Sequence, residues 1–72
     1  MVKIGNFKLR KELLVQVINH LKTAFERDVT EDEAIRFLVD NTDILSSIVG
    51  YDEVDTDDRH RIWDACDAER SK

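Results

Sequence analysis

Apolar residues recur at helical spacing along most of the chain. Phe7, Leu13, Leu14, Val17, Ile18, Leu21, Ala24 and Phe25 form one stripe about 140° wide when wound at about 100° per residue. Leu14, Ile18, Leu21 and Phe25 mark its spine, and Gln16, Asn19, Lys22, Thr23 and Glu26 face away. Asn6 stands where a helix N-cap belongs. The pattern predicts a long amphipathic N-terminal helix from Phe7 to Asp28. Such a helix does not bury its stripe alone, so other elements, a partner or a second copy must cover it.

A second periodic segment, TEDEAIRFLVDN, opens with Thr30 and Glu33 at capping-box spacing. Glu31, Asp32 and Glu33 stand where a helix N-terminus favours negative charge. Ala34, Ile35, Phe37 and Leu38 supply its buried face. NTDILSSIVG predicts a short third helix capped by Thr42 or Asp43. Ile44, Leu45, Ile48 and Val49 pack, and Gly50 ends it at a left-handed position. A strand over SSIVGY is the alternative, but no partner strand stands out. A fourth helix is predicted over 57–70, capped by Asp55 or Thr56. Asp57 and Asp58 complement its dipole at one end, as Arg70 and Lys72 do at the other. Its apolar face is Ile62, Trp63, Ala65 and Cys66.

The expected fold is all-α: a compact bundle of three to four helices built on the long amphipathic N-terminal one. Its expected core is Phe7, Leu14, Ile18, Leu21, Phe25, Ile35, Leu38, Leu45, Ile48, Ile62 and Trp63. The absence of proline and the presence of only two glycines suit long helical segments.

At 72 residues the chain reads as one small helical domain, residues 1–72. A domain of this size buries only about 60% of the surface its unfolded chain exposes. Its single cysteine, Cys66, allows no internal disulfide and fits a reducing compartment. No apolar run approaches the ~18 residues of a membrane span, and MVKIGNFKLRKELL lacks the apolar core of a signal peptide. The expected location is cytoplasmic, with no membrane partner.

Net charge is −5, unevenly spread: residues 1–27 carry +4 and residues 28–72 carry −9. Such asymmetry bears on partners and association more than on fold. Five of the seven residues from Asp52 to Asp58 are acidic. Capping and dipole matching account for Asp55, Thr56, Asp57 and Asp58, leaving Asp52 and Glu53 as surplus.

Three kinds of chemistry find no support in the spacing. A calcium loop counted from Asp55 puts Arg59 at its third ligand, and one counted from Glu53 puts Asp58 where glycine belongs. Cys66, His20 and His60 are the only soft ligands, with no C-x-x-C or H-x-x-x-H pairing. Carboxylates are plentiful, yet four short helices offer little pocket to shift their pKa values. No catalytic, metal or cofactor-binding residue is therefore assigned, and the chain is read as a non-enzyme without cofactors.

Macromolecular binding remains. Lys3, Lys8, Arg10 and Lys11 could neutralise phosphates without sequence preference, which would make the basic N-terminal helix a nucleic-acid surface. A helix-turn-helix is disfavoured, because DILSSIVG holds no Lys, Arg, Asn or Gln to read a base edge. The acidic half could instead imitate DNA and inhibit a nucleic-acid-binding protein. The leading expectation is a non-catalytic module that binds and modulates, or inhibits, another protein bearing a basic surface. Its contact residues would be Asp52, Glu53, Asp55, Asp57 and Asp58, with Trp63, just after Arg59 and Arg61, as anchor, since Trp and Arg are enriched at interface hot spots. A homodimer is the related case. In size and charge balance the chain is similar to small accessory or regulatory proteins, including those of phages and other mobile elements, though no residue carries that likeness.

Overall fold

The N-terminal segment alternates apolar and charged residues, Val2-Lys3-Ile4 and Phe7-Lys8-Leu9, around Gly5-Asn6. Alternation at period two with a two-residue Gly-Asn connection is hairpin chemistry. A computed structural model describes residues 1–50 and 53–70 and has that hairpin: β1 (Val2–Ile4) pairs antiparallel with β2 (Phe7–Leu9). Gly5 takes φ +58° while Asn6 does not enter the left-handed region, the II′ pattern that matches strand twist. Ile4 and Leu9 are fully buried, Val2 and Phe7 partly so, and Lys3 and Lys8 are exposed on the opposite face. The fold is thus mostly α rather than all-α, and Asn6 is a turn residue rather than a helix cap.

The first helix is correspondingly shorter than expected. Helix α1 spans Lys11–Phe25, with the extended Arg10 at its N-cap. It ends because Glu26 adopts φ 56°, ψ 37°, a left-handed conformation that usually favours glycine. The chain then turns back and buries Val29. Leu13, Leu14, Val17 and Leu21 are the buried spine of α1, while Ile18 and Phe25 lie at its edge.

Helix α2 (Glu31–Asp40) starts as its sequence dictates: the Thr30 hydroxyl accepts the Glu33 N–H at 3.2 Å. Ala34, Phe37 and Leu38 are buried on it. One residue, Asn41, separates α2 from α3 (Thr42–Ile48). Its N–H and its side-chain amide donate back to Leu38 and Phe37 carbonyls, and its own carbonyl accepts from Ile44 and Leu45. Asn41 therefore occupies the cap position expected of Thr42 or Asp43, and Gly50 is not left-handed.

Helix α4 (Thr56–Arg70) closes the domain. It runs parallel to α1: Gln16 Oε1 accepts the Val54 N–H at 2.9 Å near one end, and Arg70 donates to the Ala24 carbonyl at 3.0 Å near the other. α1 packs against both α4 and α2, α3 bridges α2 and α4, and β1 leans on α2. Ile4, Leu9, Leu13, Leu14, Val17, Leu21, Leu38, Leu45, Ile48, Ile62 and Cys66 are buried in one core. Trp63 is not in that core: it is 43% exposed, because it follows Ile62 and is turned about 100° away from it around the helix.

Candidate functional site

The acidic stretch before α4 divides by structural role. Asp55 caps the helix, its Oδ1 accepting the Asp58 N–H at 2.9 Å. Glu53 and Asp57 are exposed. Asp58 is 2% exposed, and its Oδ1 accepts the Ser47 hydroxyl at 2.8 Å, joining α4 to α3. Its other oxygen has no hydrogen-bond partner among the described residues. Asp52 lies outside the described residues. Of the five carboxylates expected on one surface, Glu53, Asp55 and Asp57 are exposed together, and Asp58 belongs to the interior.

Trp63 lies on the flank of α4 that follows α1. Asp58, Ile62 and Cys66 are the buried residues of α4, at i, i+4 and i+8. Arg59, Trp63 and Arg70 fall within about 40° of one another beside that stripe. Arg59 is close enough to His20 of α1 for its charge to act on the imidazole, and Arg70 reaches the Ala24 carbonyl. The indole is thus bracketed along the helix by two interactions with α1. Burial first, and the Arg59 guanidinium second, hold His20 below the ordinary imidazole value.

Cys66 is fully buried. Desolvation, then the charges of Glu69 and Asp67, push its thiol up to about 11 against a smaller opposing effect of Arg70. It behaves as a small apolar residue, as its place on the apolar face suggested. Among the described residues no group of three His, Cys, Asp or Glu side chains could hold a metal ion, and no helix is long and apolar enough to cross a membrane.

Of the four bases assigned to a basic N-terminal helix, only Lys11 lies within a helix. Lys3 and Lys8 face each other across the hairpin, Arg10 is the α1 N-cap residue, and Lys11 is the first residue of α1. The hairpin, rather than a basic helix, carries this end of the chain.

A groove of about 640 Å³ runs between α1, α2 and α4, a size within the range of ligand clefts and larger than short helices led us to expect. Leu21, Val29 and Phe37 form its floor, and Phe25, Ala65 and Ala68 its walls. At its rim, Arg27 pairs with Glu33 at 2.8 Å, donates to the Asp28 carbonyl and lies 5.3 Å over the Phe25 ring. The hydrogen bond from Arg27 outweighs the opposing effect of burial and keeps the Glu33 carboxyl below its usual value. No His or Cys lines the groove. Its lining joins residues 21–41 to residues 65–69 of α4, so no local pattern foreshadows it.

No protein-family model matches the chain, and neither a curated protein nor a solved structure matches it.

Proposed function

We propose that this protein is a non-catalytic binding module that grips and modulates another protein through the exposed surface of α4. Trp63 would be the anchor, and Glu53, Asp55 and Asp57 the acidic end of the contact. The observation carrying this reading is the exposure of the chain's single tryptophan on a helix fastened on either side of it. A Trp held on a rigid element gives up little conformational freedom when a partner covers it, which is how hot-spot residues work. The exposed carboxylates at the start of the same helix would steer a basic partner surface toward it.

The DNA-imitation reading asks for carboxylates displayed as a set. With Asp58 inside and one oxygen of Asp55 engaged in capping, the geometry favours a protein contact with a charged edge over a phosphate-like array.

The test is capture from nuclease-treated native lysate by the tagged full chain. A discrete protein retained by the wild type and lost with Trp63→Ala and with Glu53→Lys/Asp57→Lys, both of unchanged helical circular dichroism, is the expected result. The same bound protein in all three would overturn the reading. A second copy of the chain as the partner would show itself as a melting temperature that rises with protein concentration.

A further inference from the structure

The first eleven residues hold four of the chain's 11 Lys and Arg residues and none of its 16 Asp and Glu residues. The hairpin register sets Lys3 directly opposite Lys8, both exposed and both on the face turned away from Ile4 and Leu9. Like charges directly across a strand pair repel and weaken it. Among the described residues, no acidic side chain forms an ion pair with Lys3, Lys8 or Lys11. The ribbon therefore presents concentrated positive charge, although the chain's total charge is −5.

We propose that the outer face of the β1–β2 hairpin binds the phosphate backbone of double-helical nucleic acid without sequence preference, through Lys3 and Lys8 with Lys11 beside them. An anion placed between Lys3 and Lys8 relieves their repulsion, so binding and hairpin stability reinforce each other. The chemistry of the face selects this partner. A two-stranded ribbon has the breadth to follow a duplex groove. The outer face offers no aromatic ring on which unpaired bases could stack, because Phe7 is turned inward with Ile4. Val2, Ile4, Phe7 and Leu9 pack against the core, which leaves Met1 as the exposed large apolar side chain of this segment, too little apolar surface to hold the hairpin in a lipid surface. The proposal does not rest on the role given to α4.

The experiment is fluorescence anisotropy of a labelled duplex of arbitrary sequence, titrated with the full chain over a range of salt concentrations. Affinity should fall with salt at a logarithmic slope of about −2 to −3, near −0.9 for each phosphate neutralised. Lys3→Gln/Lys8→Gln should flatten that slope by about 2, one for each lysine withdrawn from a phosphate. Lys22→Gln/Arg36→Gln, which removes the same charge from α1 and α2, should leave it unchanged. Circular dichroism melts verify that both variants fold, and the hairpin variant should melt no lower than the wild type because a repulsion is gone. Absence of binding at the lowest salt, or a slope unaltered in Lys3→Gln/Lys8→Gln, would overturn the proposal and leave the lysines as guards against edge-to-edge strand pairing. Binding to phosphatidylserine vesicles without binding to the duplex would overturn it as well.

Discussion

Ser47 donates a 2.8 Å hydrogen bond to the buried Asp58 carboxylate eleven residues later, and this contact fastens α3 to α4. A carboxylate out of water needs its donors, because an unsatisfied buried charge is costly. Asp58 has two sources of support: the Ser47 hydroxyl and its position in the first turn of α4, where the helix dipole favours an anion. Ser47→Ala removes the first and should lower stability by about 1–3 kcal/mol. Asp58→Asn keeps an acceptor for Ser47 and removes the buried charge, so it should cost less than Ser47→Ala. Urea denaturation of the two variants decides; a larger loss for Asp58→Asn would mean that the helix dipole holds the carboxylate more strongly than Ser47 does.

Glu26 closes α1 in a left-handed conformation at φ 56°. A residue with a Cβ is strained there by about 1–2 kcal/mol, and glycine is not. After glycine's greater loss of chain entropy, Glu26→Gly should stabilise the protein by about 0.5–1 kcal/mol. A domain of this size would then melt about 2–8 °C higher. Glu26→Val should melt lower than the wild type, because a β-branched side chain fits that region worst.

These two sites mark what is legible in the sequence. All four helices are foreshadowed by the spacing of their apolar residues, but the expected caps hold only for α2 and α4, where Thr30 with Glu33 and Asp55 act where local chemistry puts them; α1 and α3 start at Arg10 and Asn41 instead. The hairpin is missed because Phe7 also fits the helical stripe of α1, so that Gly5-Asn6 reads as a cap. Only the alternation around Lys3 and Lys8 separates the two. Asp58 sits in a run of acids, and nothing local distinguishes the buried one; Ser47 does so from another helix. Trp63 and Ile62 are adjacent apolar residues, and the packing of α4 on α1 decides which turns inward. The groove and the Gln16 to Val54 bond, spanning 38 residues, are tertiary and leave no local mark.

His20 is held below its ordinary value by burial first and by Arg59 second. The folded protein therefore takes up this proton less readily than the unfolded chain. The stability that neutral His20 contributes is present above about pH 6.5 and is lost as pH falls through the lowered folded value. His20→Gln should lose less stability than the wild type between about pH 7.5 and pH 5, read from urea midpoints. In Arg59→Gln the imidazole resonance should titrate higher than in the wild type yet still below its ordinary value, since burial is the larger cause. Identical pH dependence in the wild type and His20→Gln would contradict this.

Cys66, fully buried and with its thiol pushed up to about 11, should resist modification while the protein is folded, because the thiolate is the reactive form. Iodoacetamide should label it slowly in native buffer and rapidly in concentrated urea. Equal rates in the two conditions would place the thiol at the surface.

The central claim is that α4 meets its partner at Trp63, and the chain's single tryptophan reports on that contact directly. The measurement is acrylamide quenching of its fluorescence in the purified protein, alone and after addition of the captured, tryptophan-free or spectrally subtracted partner. The account predicts efficient quenching in the free protein, as 43% exposure requires, and strong protection with a shift to shorter wavelength in the complex. A complex in which Trp63 stays as accessible as in the free protein would contradict it.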